Sequence, residues 1–317
     1  MNKLFLIRNP DIFQGKKYLD TNKNYFEGWY FKNTNKKESI SFIPGININD
    51  KQKKAFIQII TDHTSYYVNY SIDEFKFNLD PFFIQIGNNI FSKKGIHIDI
   101  KEDSQHLKIF GNIKYSGSKN IKTSLLSPNI MGPFSYIPFM ECNHAILSMR
   151  NKIQGVININ NHKINFNHKN SMGYIEKDWG ISFPKSYIWC QGNNFKKSDA
   201  SFMLSIADIP FKFLHFKGVI CVLILDNREF KFTTYNHTKI IKYNIDRGTV
   251  NITLKKGNYS LNIKSKNNEG LNLIAPVKGK MEKNILESIT ASITVTLKRK
   301  DNIIFSDTSS NCGLEIV

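Results

Sequence analysis

The amino-acid sequence predicts an all-β protein built from antiparallel strands. Short segments rich in Ile, Phe and Tyr recur about every ten residues, and clusters of Asn, Asp, Gly or Lys separate them, which is the spacing of a sandwich or barrel. No segment shows the periodicity of a long amphipathic helix. Because 41% of the 317 residues are hydrophobic and 13% are aromatic, the chain can bury a substantial core and is not expected to be disordered.

The first part of the chain predicts a lead-in, a hairpin and a series of short strands. Residues 1–24 end in a Lys/Asn turn. Residues 25–46 follow with a Trp-Tyr-Phe run, a polar turn and a Ser-Ile-Ser-Phe-Ile alternation, which together indicate a two-stranded hairpin. Further strands are predicted at residues 55–60, 66–70, 75–79, 83–86, 95–100 and 107–115.

A change of composition separates these strands from the later ones. Residues 116–139 hold Ser, Gly and the closely spaced breakers Pro128, Gly132, Pro133 and Pro138. This pattern predicts a long loop, which we expect to act as a lid over a barrel mouth. Strands are predicted to resume at residues 145–150, 155–159, 163–167, 201–206, 211–216, 219–225, 228–234, 239–244, 249–255, 259–264, 270–274 and 288–298.

Two segments of the chain echo each other. EGWYFKNTNKKESISFI and KSYIWCQGNNFKKSDASFML superpose without gaps at an offset of 189 − 29 = 160 residues. The matched pairs include Trp29 with Trp189, Ser41 with Ser201, and Phe42 with Phe202. A repeat of roughly 150 residues has the size of a closed β-barrel domain. We therefore predict two tandem antiparallel β-barrel domains, residues 1–170 and 171–317.

Charge and cysteine content narrow the function classes. The net charge is +18, but the lysines are scattered rather than clustered on one element, so nucleic-acid binding is not predicted, whereas contact with an anionic membrane surface stays open. The four cysteines lie far apart without a C-x-x-C pair, so neither a disulfide framework nor a zinc site is indicated. The apolar runs are too short for a signal peptide or a membrane span, and we expect a cytoplasmic protein.

The most informative stretch is GYIEKDWGISFPKSYIWCQGNNF, residues 173–195. It surrounds two acids, Glu176 and Asp178, with aromatic residues, and its glycines and proline exclude a single regular element. If the chain is extended here, Tyr174, Glu176 and Asp178 share one face and Trp179 faces the other way. Either a buried polar pocket or a structural corner would have this composition. The echo places the part GYIEKDWG just ahead of the second barrel, at an expected seam between the two.

The segments YFEGWYFK, MECNHAILSM, GYIEKDWGISFPKSYIWCQGNNF, APVKGKMEKNILESITASITVTL and CGLEIV together resemble the tocopherol cyclase family. They span nearly the whole chain in the same order. The resemblance implies two lipocalin-like β-barrels with few short helices, similar to the hydroxyneurosporene-synthase and AttH-like group. The Asn-, Ile- and Lys-rich composition indicates a bacterial member, for which the substrate of the plant enzymes is not carried over.

The reaction that the resemblance implies is an acid-initiated cyclisation or hydration of a double bond in a lipophilic, isoprenoid-like substrate. Such a step needs a positioned acid, an apolar pocket and aromatic faces near the developing cation. The candidate acid and base residues are Asp178, Glu176, His144 and Glu141. The residues expected to shape the substrate pocket are Trp29, Tyr30, Tyr174, Trp179, Trp189 and Gln191.

Alternatives remain open at the level of sequence. Glu176 could pair with a lysine, and Asp178 could hold the turn at Gly180, while Glu27 and Glu287 are better explained as structural. His162 and His168 lack a third ligand, so no metal is expected, and no motif for another cofactor is present. A non-catalytic carrier of a hydrophobic small molecule is the rival function, because lipocalin-like barrels commonly only bind. The oligomeric state is left open.

Overall fold

The computed structural model describes residues 3–79, 81–138, 140–211, 214–266 and 269–317. In these ranges the backbone forms 22 strands in two antiparallel sheets and one six-residue helix, α1 Lys3–Arg8. Short 3₁₀ helices lie at Gly15–Tyr18, Ile72–Glu74, Asp103–Gln105, Gly132–Tyr136 and Thr234–Asn236. The predicted all-β class with few short helices is confirmed.

The first sheet has twelve strands. They are β1 Tyr25–Thr34, β2 Ser39–Ile48, β3 Lys53–Thr61, β4 Ser65–Ser71, β5 Phe75–Asn78, β6 Phe83–Ile86, β7 Asn89–Ser92, β8 Gly95–Glu102, β9 Leu107–Lys119, β10 Cys142–Ile159, β11 His162–Phe166 and β12 Met172–Gly180. Their order is β4-β3-β2-β1-β12-β10-β9-β8-β7-β6-β5, with β11 beside β10. Neighbours in sequence are mostly neighbours in the sheet, and β12 returns to pair with β1.

The second sheet has ten strands. They are β13 Tyr187–Gly192, β14 Ser201–Phe211, β15 Leu214–Leu225, β16 Arg228–Thr233, β17 Lys239–Asp246, β18 Thr249–Lys256, β19 Tyr259–Lys266, β20 Leu271–Val277, β21 Lys280–Arg299 and β22 Asn302–Ile316. Their order is β16-β15-β14-β13-β22-β21-β19-β18-β17, with β20 beside β21. This order repeats that of the first sheet, since β13 and β22 occupy the places of β1 and β12.

Backbone contacts divide the chain into two compact units. The first contains Met1–Phe183 and Leu273–Asn284, and the second contains Pro184–Asn272 and Ile285–Val317. The segment that returns to the first unit is held there by Gln58, whose side chain donates to the carbonyl of Ile274 at 3.0 Å and accepts from its N–H at 2.8 Å. The division into separate domains 1–170 and 171–317 stays a prediction.

Several strand bounds differ from those expected. β7 and β22 were not predicted, and the two strands expected at residues 145–150 and 155–159 are one long strand, β10, which contains register shifts against β12. β9 continues to Lys119, so the irregular segment starts later than the predicted residue 116. Of the strand expected at 211–216, residues 212 and 213 lie outside the described residues.

The segment GYIEKDWG lies within the first sheet. It forms most of β12, an interior strand of the first sheet that pairs with β1 on one side and β10 on the other. Antiparallel pairing with the first and tenth strands decides its place in the sheet, since a strand in the interior has both backbone edges hydrogen-bonded. The seam between the barrels, which sequence order places at this segment, stays a prediction.

The echo between the two repeats is displaced by one residue in its first strand. Trp29 belongs to the core of the first unit, whereas Cys190 belongs to the core of the second, so Trp189 faces away from that core. A slip of one residue reverses the face of every side chain in a strand. Placing Trp29 over Trp189 is therefore wrong, although Phe42 and Phe202 do occupy matching core positions.

Two burial patterns distinguish the strands. β18 and β19 alternate between buried and exposed residues, as expected for strands with one face in the core. In contrast, β1, β2 and β13 are buried on both faces. On their second face these strands carry polar and aromatic side chains such as Tyr30, Lys32 and Ser41. The fold thus provides a buried, polar surface on the side of the sheet opposite the core.

A buried ion pair links the N-terminal lead-in to β1 and β12. Lys177 Nζ lies 2.5 Å from Glu27 Oε1, and both side chains are fully buried. Lys177 also donates to the carbonyls of Pro10 and Ile12 at 2.8 and 2.6 Å. Burial lowers the pKa of Lys177, and the Glu27 carboxylate opposes this effect. The expectation that Glu27 has a structural role agrees with these contacts.

Removing one partner of this pair should destabilise the protein strongly. Lys177→Met leaves the Glu27 carboxylate buried without its cation, and we expect a loss of about 3–5 kcal/mol in the free energy of unfolding. Urea denaturation measures this loss, and the double variant Lys177→Met/Glu27→Gln should recover part of it. In the control, Lys217→Met breaks the exposed pair with Asp208 and should cost no more than about 1 kcal/mol. Equal losses in both variants would contradict the assignment.

Candidate active site

The strand β12 has two chemically different faces. Ile175 packs in the core of the first unit, and Lys177 points the same way into the buried ion pair. Because side chains alternate along a strand, Tyr174, Glu176 and Asp178 lie together on the opposite face. This is the arrangement expected for an extended chain. The two acids are therefore neighbours on a surface that is separate from the core.

His144 joins the two acids across the sheet. It lies in β10 directly opposite Asp178, so the two side chains share a face. His144 Nδ1 is 2.8 Å from Asp178 Oδ1, and Nε2 is 3.6 Å from Glu176 Oε2. The side chains of His144 and Glu176 are only 13% and 6% exposed, so water screens their interaction weakly. Each ring nitrogen thus faces a different carboxylate.

Tyr174 completes the group. Its hydroxyl donates to Glu176 Oε2 at 2.5 Å. Burial raises the pKa of Tyr174 well above its ordinary value, and the charge and hydrogen bond of Glu176 raise it further. Tyr174 therefore remains a neutral hydrogen-bond donor at physiological pH. The hydrogen bond from Tyr174 also fixes the position of one carboxyl oxygen of Glu176.

Neighbouring residues shield this group. Tyr30 of β1 stands opposite Glu176, and its ring lies 6.5 Å from that of Tyr174 in an edge-to-face arrangement. Met131, from the irregular segment after β9, accepts a hydrogen bond from the backbone N–H of His144 at 3.1 Å. Burial raises the pKa of the nearby Cys142 thiol, which favours its neutral form. The segment expected to act as a lid thus contributes a side chain to the site.

Glu141 lies at the edge of the site, but its side chain is exposed. Its backbone carbonyl accepts a hydrogen bond from the N–H of Ile181 at 2.8 Å. Gly180, with φ of +151°, lies against the same carbonyl, which would stand 2.3 Å from a Cβ atom at this position. Only glycine fits this close approach. Glu141 therefore anchors the end of β12 through its backbone.

Trp29 and Trp179 lie on the other side of β12. Trp29 is fully buried in the core and donates its indole N–H to the carbonyl of Asp11 at 3.0 Å. The Nζ atom of Lys177 lies 4.8 Å from the ring of Trp29 and 4.9 Å from that of Trp179. Both tryptophans therefore contact the buried lysine rather than the cluster of Glu176.

Trp189 and Gln191 belong to β13 in the second unit. Both are almost completely buried on the face opposite the core of that unit. Trp189 pairs with Glu315 of β22, which in turn pairs with Glu287 of β21. These residues form a second buried polar surface.

The cluster could also hold a metal ion. Among the described residues, His144, Glu176 and Asp178 offer ligand atoms that all lie within 4.8 Å of one another. With Nδ1 held by Asp178, the atoms that suit a cation are His144 Nε2 and Glu176 Oε2, and Asp178 would orient the imidazole. His162, in contrast, pairs with Glu38 at 2.6 Å on an exposed surface. The sequence did not indicate this group as a metal site because His144 lies 176 − 144 = 32 residues before Glu176, the nearer of the two acids.

The place of His144 in the site can be predicted from the sequence only in part. The residue was a candidate because it follows the breaker-rich segment and starts a strand. Its contact with Asp178 depends on the antiparallel register of β10 and β12, which includes two register shifts further along the pair. No local pattern encodes that register. Met131 gave no recognisable signal in the sequence.

A sequence profile of the tocopherol cyclase-like family matches residues 119–317, which is more than half of the chain. The chain belongs to this family. The matched region includes all four members of the cluster, Tyr174, Glu176, Asp178 and His144. A comparison with curated proteins finds no match by sequence.

Solved structures share the fold over nearly the whole length. CghA is 7% identical, with a TM-score of 0.60 over 92% of this chain and 88% of its own. Kievitone hydratase from Nectria haematococca is 13% identical, with a TM-score of 0.50 over 96% of this chain and 93% of its own. A candidate AttH protein from Nitrosomonas europaea is 9% identical, with a TM-score of 0.53 and 92% coverage of each chain. The predicted lipocalin-like fold is confirmed.

The one helix of the described ranges, α1, is too short to cross a membrane, and none of the described residues forms a longer apolar helix. The cytoplasmic location, the bacterial origin, the absence of nucleic-acid binding and the contact with a membrane surface stay predictions.

Ionisation of Tyr174 should make stability fall with rising pH. Its folded pKa is raised, so its contribution is fully present below the ordinary tyrosine pKa of about 10 and is lost as the pH rises above that value. We expect the stability difference between the wild type and Tyr174→Phe to shrink above pH 10. Urea denaturation between pH 7 and 11 measures it. A difference that stays constant over this range would show that Tyr174 ionises normally in the folded protein.

Proposed function

We propose that this protein catalyses an acid-initiated addition to a carbon–carbon double bond of a lipophilic, isoprenoid-like substrate. The observation that carries the proposal is the position of His144 between Asp178 and Glu176, with Tyr174 bonded to Glu176. This group combines a proton donor, a proton acceptor and two residues that hold them in place. Membership of the tocopherol cyclase-like family supports a cyclisation, and the hydratase among the structures of similar fold supports a hydration.

In the proposed reaction Glu176 is the acid. Its carboxyl proton is transferred to one carbon of the double bond, whose π electrons form the new C–H bond and leave a cation on the other carbon. The hydrogen bond from Tyr174 stabilises the resulting carboxylate. The faces of Tyr30 and Tyr174 are aromatic surfaces that can lie beside the cation.

His144 then acts as the base. A hydroxyl group of the substrate closes a ring on the cation, or water adds to it, and the oxygen loses its proton to His144 Nε2. The imidazolium returns this proton to Glu176 when Nε2 and Oε2, which are 3.6 Å apart without substrate, close to hydrogen-bond distance. Asp178 accepts the Nδ1–H hydrogen bond and stabilises the imidazolium while it exists. Each residue regains its initial protonation state, so the cycle needs no oxidant or reductant.

The proposal predicts incorporation of solvent deuterium at carbon. The purified protein is incubated in D₂O with prenylated phenols or quinols, and products are analysed by mass spectrometry and NMR. We expect one carbon-bound deuterium in each product molecule. Glu176→Gln, Asp178→Asn and His144→Gln should each lower turnover about 10²- to 10⁴-fold. Glu141→Gln is the matched control, because its carboxylate is exposed outside the cluster, and it should retain activity.

Two results would contradict the proposal. Full activity in the folded Asp178→Asn and Glu176→Gln variants would remove these groups from the mechanism. A lipid that copurifies in native mass spectrometry, with no product from any added prenylated compound, would instead favour the non-catalytic carrier. Circular dichroism of each variant establishes that it is folded before its turnover is compared.

A further inference from the structure

In each unit, the strands that are buried on both faces carry side chains on the face opposite the core. Some of these side chains occupy equivalent positions in the two repeats. Phe42 and Phe202 match in the repeat, and both lie in a core. Phe42 pairs with Phe31 of β1, and Phe202 pairs with Gly192 of β13. The residues that precede these partners, Tyr30 in the first unit and Gln191 in the second, therefore occupy equivalent positions. Ser41 and Ser201 are equivalent for the same reason.

In the first unit, the side chains at these two positions are hydrogen-bonded to each other. The hydroxyl of Ser41 donates to the hydroxyl of Tyr30 at 3.0 Å, and both residues are buried. This bond is the ordinary solution for polar groups on a buried face, because an unsatisfied donor or acceptor costs about 1–3 kcal/mol.

In the second unit the same positions are not satisfied. Gln191 and Ser201 have no exposed surface. Within the described ranges, the amide nitrogen and oxygen of Gln191 and the hydroxyl of Ser201 have no hydrogen-bond partner. Three buried polar atoms on adjacent strands thus lack the bonds that Tyr30 and Ser41 make with each other. Because buried polar groups are normally hydrogen-bonded, unsatisfied atoms at both Gln191 and Ser201 indicate that their partner lies outside the described residues.

The surroundings limit the chemistry of that partner. Met203, fully buried, stands directly opposite Gln191 on β14, and Trp189 lies two residues before Gln191 on the same face. Two large hydrophobic side chains therefore lie beside the amide. Glu315 of β22 stands opposite Trp189, and Glu287 of β21 stands opposite Glu315. Both acids therefore lie on the same face as Gln191, which disfavours an anionic ligand. A side-chain amide pairs best with a group that offers an acceptor and a donor side by side.

We propose that Gln191 and Ser201 form a binding site in the second unit for a neutral, lipophilic molecule that carries a carboxamide or an un-ionised carboxyl group. The carbonyl of the ligand accepts from the Gln191 amide nitrogen, and its N–H or O–H donates to the amide oxygen. Ser201 supplies a further hydrogen bond to the same polar group. This site is independent of the reaction assigned to Glu176 and His144.

The test uses the full-length protein with ¹³C-methyl-labelled methionine, and dodecanamide as the probe. The Met203 signal is identified with Met203→Leu. We expect dodecanamide to shift this signal, and N,N-dimethyldodecanamide, which has no N–H donor, to bind at least tenfold more weakly. Gln191→Met should weaken dodecanamide binding at least tenfold, and Ser201→Ala should weaken it to a smaller extent.

Thermal stability without the probe gives a second measurement. Gln191→Met removes a buried amide that has no hydrogen-bond partner among the described residues, so its melting temperature should equal or exceed that of the wild type. Gln58→Met is the matched control, because Gln58 is also buried but bonds to both backbone groups of Ile274. This variant should melt at a lower temperature and still bind dodecanamide.

Other outcomes would overturn the site. No shift of the Met203 signal, or equal binding of the two amides, would exclude the proposed recognition. A lower melting temperature of Gln191→Met with unchanged binding would assign Gln191 a structural role, with buried water as the partner. Variants of Glu176 or His144 that lose catalysis should still bind dodecanamide like the wild type. The outcome for this site therefore does not depend on the outcome for the proposed reaction.

Discussion

The buried pair of Lys177 and Glu27 is the interaction on which the candidate site depends. Its five hydrogen bonds from Lys177, Gln14 and Tyr25 and the two tryptophan rings beside the ammonium group offset the cost of burying both charges. They attach the N-terminal segment and β1 to β12. Because Lys177 lies between Glu176 and Asp178 in sequence, its fixed direction sends both acids to the opposite face.

That opposite face is where the chemistry becomes possible. Strands at the centre of the first sheet are buried on both sides, so acids on the second face are removed from water without entering the core. In this setting His144 meets one carboxylate at each ring nitrogen, and Tyr174 supports Glu176. A sheet with one solvated face would have left the same residues screened and mobile. The structural ion pair and the proposed proton transfers therefore use alternate residues of one strand.

The duplication gives the two units one strand order but different polar faces. In the first unit Tyr30 and Ser41 bond to each other, whereas Gln191 and Ser201 at the equivalent positions do not. The gapless alignment of the two segments does not reveal this relation. It pairs Trp29, which faces the core of its unit, with Trp189, which faces away from the core of its own unit. The sequence repeat thus identified the architecture correctly. Because β13 is displaced by one residue relative to β1 in that alignment, the residue equivalent to Tyr30 is Gln191.

The sequence by itself determined the all-β class, the duplication, the family and the alternation that places Tyr174, Glu176 and Asp178 on one side of an extended segment. These features depend on local period and composition, which a single chain displays. Tertiary structure alone decided that β12 lies inside the first sheet, that His144 of β10 reaches both acids, and that Glu141 does not join them. Those facts depend on strand pairing between distant residues and on register shifts, and neither leaves a periodic trace in the sequence.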